Sequence, residues 1–444
     1  MSIVAETTLK CNSKLKINFD GGNLSSDSGL LLVKEFIHKL GIDSLVKQSF
    51  RTNDSRVFKI HTDDQLLLQT VFQYMASYFT DDCADELRAD PIFCAVLGKD
   101  SLASQPTLSR FFNRLDETTI EQLNSIFKAM RKRVYEIERP DHVLLDIDTT
   151  LCNTYGNQEG ANFNYHYQAN GYHPLVCFDA MTSDLIAAEL RPGSEYCCKD
   201  IRGFMEPIFE EYRTEYPEIA LFVRGDSGFA TGDLYTVCEE YGVKYAIRLK
   251  ESAPLRQEAA PVVQALMDRM NQAEDLVSYG VAYGEFQYQA NSWDHKRRVV
   301  CKVEKPQGQI APLYTFVVTN MEFYDPELLI QYYCKRGVME NMIKECKSGF
   351  DMASVSSSSM SVNANRMLIH ALAYNIFNWM RRLTLPENMK QDRIDTIRLK
   401  LFKIASRIVS TGRYLYFKLC SACAYKVEFM KVLTNIYALN VQLE

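Results

Sequence analysis

Apolar and polar residues follow different patterns in successive parts of the 444-residue chain. Over residues 30–40, 62–78 and 118–137, apolar side chains recur at steps of three and four, which predicts a separate helical N-terminal region. From about residue 142, short apolar and β-branched runs alternate with amphipathic stretches, a pattern typical of a mixed sheet with helices packed on it. Residues 365–383 are strongly apolar and predict a helix that packs on the core.

The middle region predicts five strands, at residues 143–149, 175–178, 185–190, 220–224 and 244–249. The turn signal at residues 182–184 indicates that the second and third strands are hairpin partners in an antiparallel meander. Helices are predicted at about residues 200–212 and 231–241. Pro207 is expected to kink or break the first of them.

Two of the predicted strands end in aspartates. Asp146 and Asp148 close the first strand, and Asp226 follows the strand at 220–224. The glycines around Asp226 permit a tight turn and a close approach of a ligand to the backbone. A two-metal phosphoryl-transfer site needs carboxylates that converge from different elements. An aspartate at a strand end is also a common turn former or helix N-cap, so the strand ends alone leave both interpretations open.

A second polar constellation lies downstream, where Tyr333, Arg336, Glu340 and Lys347 follow one another at steps of three, four and seven. At ~100° per residue these steps predict one side of a single helix, within an arc of about 60°. Arginine, lysine and tyrosine are phosphate-binding groups, and a carboxylate among them can hold Mg²⁺ against the same phosphate. The alternative is a solvated helix face with Glu–Lys pairs.

Together, these residues resemble the DDE transposases of bacterial insertion sequences, in the branch with a tyrosine–arginine–glutamate–lysine signature. The resemblance covers roughly residues 140–350, including the segment 165–174 after the first strand. It implies that Asp148, which precedes a Thr-Thr pair, is the first catalytic residue rather than Asp146. It implies that Asp226 and Glu340 complete the catalytic and metal-binding set. The implied phosphate-contacting residues are Tyr333, Arg336 and Lys347.

The order of elements agrees with an α/β, RNase H-like mixed sheet flanked by helices. Between Asp226 and Glu340 lie 113 residues (340 − 226 − 1), more than one strand and one helix require. From about residue 276 to 318 the pattern is β-rich, which predicts a β-rich insertion, as the resemblance also implies.

Trp293 lies in this insertion beside His295, Lys296, Arg297 and Arg298. An aromatic ring among cations can stack on an extruded base while the cations hold phosphates. Trp293, Arg297 and Arg298 are therefore candidate DNA-binding residues. The alternative is a tryptophan that packs under a hairpin beside a solvated basic loop.

Both ends of the chain carry further candidate DNA-binding features. Residues 104–115 resemble a recognition helix, with Arg110 available to base edges or phosphates, although an ordinary amphipathic helix fits as well. Residues 381–418 contain ten Lys or Arg and three acidic residues, a local charge of +7 (10 − 3) in a chain of net charge −6. Such a patch favours nucleic-acid binding, and a solvated charged helix is its alternative.

The predicted domains are a helical N-terminal DNA-binding domain, two parts of an RNase H-like core separated by the β-rich insertion, and a helical basic C-terminal region. Their ranges are 1–138, 139–254 with 323–383, 255–322, and 384–444.

The resemblance implies a cut-and-paste transposase. Asp148, Asp226 and Glu340 would hold two Mg²⁺ ions, for which Mn²⁺ would substitute. The implied partners are double-stranded DNA, as the terminal inverted repeats and the target, and a second copy of the chain in a homodimer. The implied steps are nicking, hairpin formation, hairpin opening and strand transfer. Two alternatives are a nuclease of the same fold that does not join DNA ends, and a domesticated DNA-binding protein without activity.

Bulk properties limit the function classes further. Residues 1–9 lack a signal peptide pattern, and no apolar run approaches the ~18 residues of a membrane span. Thirteen irregularly spaced cysteines fit reduced thiols, so a cytoplasmic, nucleoid-associated protein without a membrane partner is expected. Neither Cys197–Cys198 nor Cys420 and Cys423 has a second pair at zinc spacing, and a structural zinc site is not expected.

Overall fold

The computed structural model describes residues 6–272, 279–309 and 311–441. Parts of three predicted segments, residues 1–5, 276–278 and 442–444, lie outside the described residues. The chain divides into two compact units. The helical unit comprises Met1–Glu138, Glu345–Met352 and Ala364–Glu444, and the sheet unit comprises Arg139–Lys344 and Ala353–Asn363.

The strands and helices are numbered in chain order. The strands are β1 Thr7–Thr8, β2 Lys16–Ile17, β3 Leu24–Ser25, β4 His142–Thr149, β5 Cys152–Asn153, β6 Asn162–Asn164, β7 Ala169–Tyr172, β8 Leu175–Asp179, β9 Leu185–Glu189, β10 Ala220–Gly225, β11 Lys244–Leu249, β12 Gly280–Tyr288, β13 Arg297–Lys305, β14 Leu313–Thr319, β15 Ser406–Ser410 and β16 Leu415–Leu419. The helices are α1 Leu30–Lys39, α2 Ile42–Ser49, α3 Asp63–Met75, α4 Cys83–Glu86, α5 Pro91–Leu97, α6 Gln105–Phe112, α7 Glu117–Ile137, α8 Ile201–Glu215, α9 Gly232–Glu240, α10 Ala253–Glu258, α11 Ala260–Asn271, α12 Pro326–Cys334, α13 Val338–Lys344, α14 Met360–Thr384, α15 Ile394–Ile397 and α16 Lys426–Ala438.

The sheet unit is built on one mixed sheet with the strand order β12-β13-β14-β11-β10-β4-β8-β9. Strand β10 pairs in parallel with β4 and β11, whereas the other neighbours pair antiparallel. The predicted mixed sheet and the antiparallel meander β4-β8-β9 are confirmed. The strands expected in the insertion are also present, and β14 pairs with β11, so they extend the central sheet.

The five central strands occur where the apolar runs predicted them, because runs of this kind bury both faces of a strand. In β4 the residues from Val143 to Ile147 are buried, and Asp148 is half-buried at the strand end. Helix α12 covers one face of the sheet through a cluster that includes Leu329, Ile330 and Tyr333.

Two predictions about helices are wrong. The break predicted at Pro207 is wrong, since helix α8 continues through this residue. Its buried face, which includes Met205, Phe209 and Tyr212, offsets the cost of the proline, about 3 kcal/mol. The C-terminal region was predicted to be helical, but it also contains the antiparallel hairpin β15–β16. Strand β15 pairs on its other edge with β3, a distant partner that local sequence patterns do not indicate.

The helical unit has the helices that apolar periodicity predicted, α1, α3, α7 and α14. Its core includes His370, whose Nδ1 lies 2.6 Å from the Phe350 carbonyl oxygen and whose ring stacks on Tyr74 at 3.9 Å. Burial lowers the pKa of His370 to about 3, so this histidine is a neutral packing residue. Within the described ranges, no helix has the length and apolar character needed to cross a membrane.

A buried ion pair connects the two central parallel strands. Arg224 Nε and Nη2 donate to the two carboxylate oxygens of Asp146 at 2.7 and 2.8 Å, and both side chains are almost fully buried. Arg224 Nη1 also donates to the Tyr332 carbonyl oxygen at 2.7 Å, near the end of α12. The pair therefore joins β4, β10 and α12.

We predict that Asp146→Asn lowers the free energy of unfolding by about 3–5 kcal/mol, because it leaves Arg224 buried and charged without its counter-ion. Urea unfolding would measure the loss. Asp141→Asn, at an exposed site just before β4, is the matched control and should change stability little. Equal unfolding midpoints for both variants would contradict a structural role for the pair.

Candidate active site

The parallel register of β4 and β10 brings the two predicted catalytic aspartates to neighbouring strand ends. Arg224 lies opposite Asp146, an offset of 78 residues. Asp148 lies two residues further along β4, and Asp226 follows the end of β10 at the start of the turn Ser227–Phe229, close enough for its charge to raise the pKa of Asp148. Neighbouring strands lie about 4.8 Å apart. Arg224 and Asp146 therefore form a buried pair of opposite charges, and beyond them Asp148 and Asp226 are two half-buried carboxylates.

Asp148 has a counter-ion from the connection between α12 and α13. Arg336 Nη2 lies 2.9 Å from Asp148 Oδ2 and donates to the Ile147 carbonyl oxygen at 2.9 Å. Burial raises the pKa of Asp148, the Arg336 charge opposes this shift, and the nearby charge of Asp226 adds to it. Two carboxylates and one guanidinium therefore share a partly desolvated site.

Asp226 is held by the turn that follows β10. Its Oδ1 accepts the Gly228 N–H at 2.9 Å and caps the short 3₁₀ turn Ser227–Phe229. A Cβ atom at Gly228 would lie 2.6 Å from Cys197 Sγ, and this sulfur also lies 3.2 Å from the Gly228 carbonyl oxygen. The close approach that the glycines were predicted to permit is therefore made by another part of the chain.

The prediction of one regular helix for the downstream constellation is wrong. Helix α12 ends at Cys334, a 3₁₀ turn spans Lys335–Gly337, α13 spans Val338–Lys344, and a π-helical turn spans Glu345–Gly349. The 3₁₀ turn has 3.0 residues per turn and the π turn more than 3.6, so a constant step of 100° per residue does not apply.

The four residues consequently have different environments. Tyr333 is buried against the sheet, and burial raises the pKa of its hydroxyl. Arg336 reaches Asp148, whereas Glu340 is exposed. Lys347 belongs to the helical unit, and the other three belong to the sheet unit. Of the predicted carboxylates, the structure brings Asp148 and Asp226 together.

The donor set around these aspartates fits a divalent cation in its chemistry. Carboxylate oxygens are the ligands that Mg²⁺ prefers, and two crowded carboxylates favour a cation between them. Among the residues that the structure describes, no group of three His, Cys, Asp or Glu side chains is close enough to hold a metal ion. Glu340 is therefore not grouped with the aspartates in this conformation.

Tyr167 is a neighbour of the site for which the sequence suggested no role. Its hydroxyl donates to the Thr149 carbonyl oxygen at 3.2 Å, directly after Asp148. Burial raises the pKa of Tyr167, and the charges of Asp148 and Asp226 raise it further. Residue 167 lies in the segment that carries the family resemblance, and this was the available signal.

The candidate residues of the insertion are engaged in packing and ion pairs. Trp293 is 6% exposed, and its ring meets Tyr235 and Tyr288 edge-on at 5.2 and 5.6 Å. This geometry matches the packing alternative. Arg297 is buried, and its Nε and Nη2 donate to the Glu239 carboxylate at 2.8 and 2.9 Å.

The remaining two DNA-binding candidates differ in exposure. Arg298 donates to the Glu285 carboxylate and to the Tyr324 carbonyl oxygen, the latter at 2.8 Å. Arg110 is exposed on α6, the helix predicted at residues 104–115. Arg110 is therefore open to a ligand, whereas Arg298 has protein partners.

Comparisons with known proteins assign the chain to a family. The model of the family described as "Transposase DDE domain group 1" matches residues 7–441. No curated protein matches the chain. Among solved structures, a piggyBac transposase synaptic complex with hairpin DNA is similar at 12% identity, covering 85% of this chain and 80% of that one, with a TM-score of 0.40.

A Mos1 transposase paired-end complex with the left transposon end is similar at 13% identity, covering 51% of this chain and 75% of that one, with a TM-score of 0.18. The family match, which spans nearly the whole chain, agrees with the adjacent aspartates at the ends of β4 and β10. The chain therefore belongs to the transposase DDE domain family and is a DDE transposase.

Proposed function

We propose that the chain binds the ends of a bacterial insertion sequence and catalyses Mg²⁺-dependent cleavage and strand transfer by a cut-and-paste route through a DNA hairpin. The observation that carries the proposal is the proximity of Asp148 and Asp226 at the ends of the adjacent strands β4 and β10, with the Arg336 guanidinium on Asp148. We assign the mixed sheet to the RNase H-like type, since its three parallel strands β4, β10 and β11 and its antiparallel meander β4-β8-β9 fit that layout.

Asp148, Asp226 and Glu340 are the proposed metal ligands. When bound, two Mg²⁺ or Mn²⁺ ions would activate the attacking water or 3′-hydroxyl and stabilise the leaving oxygen. Among the described residues Glu340 is not grouped with the two aspartates, so it joins them only if the segment Val338–Lys344 shifts. We assign that shift to the binding of DNA.

Arg336 has two roles in this proposal. Without DNA, it neutralises Asp148 and limits the repulsion between the two aspartates. With DNA, a phosphate takes over part of the guanidinium. The Arg336 Nε atom supports this role, because it is buried and has no hydrogen-bond partner among the residues that the structure describes. Buried donors without partners are costly, and a phosphate oxygen is a suitable acceptor.

Residues outside the carboxylate site have proposed roles in DNA binding or in supporting the site. Arg110 on α6 contacts the terminal inverted repeat. The phosphate contacts that the resemblance implies for Tyr333 and Lys347 remain predictions. Trp293, Arg297 and Arg298 support the flank of the site through their packing. A homodimer holds two element ends together and captures target DNA.

The direct test is to incubate the protein with its own element ends and Mg²⁺ and to map the strand products. A nick, a hairpin and joined target DNA are expected. Hydrolysis without any joined product would instead identify a nuclease of the same family.

Asp148→Asn, Asp226→Asn and Glu340→Gln should each abolish cleavage, a loss of at least about 10³-fold, because each removes a metal-binding charge but little volume. Binding to the element end should stay within about threefold of the parent. Strand cleavage and electrophoretic mobility assays measure the two properties. Glu327→Gln, at an exposed carboxylate of α12, is the control and should cleave normally. Near-normal turnover in any of the three variants would remove that residue from the proposed set.

Arg336→Ala should raise the affinity for Mn²⁺ without DNA by about tenfold, since it removes the cation that competes for Asp148. It should also reduce the salt dependence of DNA binding by about one counter-ion. Mn²⁺ titration followed by electron paramagnetic resonance gives the first value. Lys335→Ala, which removes the exposed neighbouring cation, is the matched control. Equal Mn²⁺ affinity in both variants would contradict the role of Arg336 as counter-ion.

A further inference from the structure

Most cationic side chains of residues 381–418 form ion pairs within the helical unit. Six of the ten cationic side chains form ion pairs with acidic residues of the same unit. These pairs are Arg381–Glu345, Arg382–Glu138, Lys390–Glu387, Arg398–Asp395, Lys400–Asp392 and Lys403–Asp27. The segment is therefore not one continuous basic patch.

Three of the other four cations lie on the hairpin β15–β16. Arg407 of β15 is directly opposite Lys418 of β16, and Val409 is opposite Tyr416. Arg413 lies in the connecting turn. Because side chains alternate between the two faces of a strand, Arg407, Val409, Tyr416 and Lys418 share one face of the hairpin.

Arg407 and Lys418 on this face are exposed. The opposite face is buried at Ser406 and Ile408 but exposed at Leu415, near the turn of the hairpin. Tyr416 is 48% exposed. Tyr414, in the turn just before β16, is 64% exposed, and its ring centroid lies 6.0 Å from that of Tyr416. We call the set Arg407, Tyr414, Tyr416 and Lys418 the ribbon face.

The ribbon face carries an unfavourable interaction. Like charges directly opposite on antiparallel strands are destabilising, and Arg407 faces Lys418 in this way. Within the part of the chain that the structure describes, neither cation is in an ion pair. The hairpin therefore keeps two facing cations and two exposed tyrosines that contribute little to its own stability. An anionic partner removes the repulsion.

We propose that the ribbon face binds the sugar–phosphate backbone of duplex DNA. The inference rests on the proposed function, which makes DNA the substrate, and adds a contact surface to it. Strand β3 contributes only Leu24 and Ser25, which pair with β15 at Arg407 and Ser406, so the outer part of the hairpin is two-stranded. A two-stranded ribbon fits the major groove of B-DNA, about 12 Å wide. Arg407 and Lys418 contact phosphates, and the tyrosines pack on the adjacent sugars and bases. Contacts to phosphate position a protein without reading sequence, so this surface strengthens the binding of element ends and target alike.

The test compares two double variants with the same loss of charge. In Arg407→Ala/Lys418→Ala the ribbon face loses two cations. In Lys426→Ala/Lys431→Ala two exposed lysines of α16 are lost instead. Fluorescence anisotropy with a duplex element end, at several salt concentrations, gives the slope of log K against log salt. The ribbon variant should lose about 1.8 from this slope, because each phosphate contact contributes about 0.9. The α16 variant should keep the parent slope, and a random duplex should give the same difference.

Thermal unfolding shows whether the ribbon charges have a structural role instead. The ribbon variant should unfold at the parent temperature or higher, because the facing cations no longer repel each other. A lower unfolding temperature together with an unchanged salt slope would overturn the proposal. So would an unchanged slope together with a loss of dimer in light scattering, which would make the ribbon face a protein interface.

The outcomes separate this proposal from the proposed function. If the parent binds and cleaves element ends and the ribbon variant has the parent slope, only the ribbon proposal fails. If the parent binds DNA through the ribbon face but gives no strand products with Mg²⁺, the ribbon proposal stands and the catalytic proposal fails. A parent protein that does not bind duplex DNA would overturn both.

Discussion

The buried ion pair between Arg224 and Asp146 is the interaction on which the geometry of the candidate site depends. Removing two charges from water costs several kcal/mol per ion, and bidentate geometry with a further hydrogen bond offsets that cost. Here the third bond goes to the carbonyl oxygen of Tyr332. One guanidinium therefore joins β4 and β10 and holds the end of α12 against them.

The site lies just beyond this pair, at the end of β4 and at the start of the turn after β10. Asp148 and Asp226 are close enough there for the charge of Asp226 to raise the pKa of Asp148. Arg336 approaches from the segment that Arg224 anchors and reduces the repulsion. The charges of Arg224 and Asp146 are fully compensated by partners within the protein. The charges of Asp148 and Asp226 are only partly compensated by Arg336, and a site of this kind suits a cation and a phosphate.

The distribution of the other charged residues follows a similar division. Arg297 and Arg298, like most cations of residues 381–418, have carboxylate or carbonyl partners and stabilise the fold. Arg110, Arg407 and Lys418 are exposed. The sequence alone does not distinguish the paired cations from the exposed ones, because a partner such as Glu239 for Arg297 is distant in sequence. Burial and pairing decide which cations are available to a ligand.

The sequence by itself determined the central strands, the main helices and the family, because apolar periodicity and the spacing of Asp148, Asp226 and Glu340 are local or ordered along the chain. It also indicated the mixed sheet, through the alternation of strand and helix patterns. Only the tertiary structure decided the partner of Asp146, the burial of Trp293, the pairing of β15 with β3 and the 3₁₀ and π turns around α13. Each of these depends on contacts between residues far apart in sequence, or on packing that overrides the regular helical repeat.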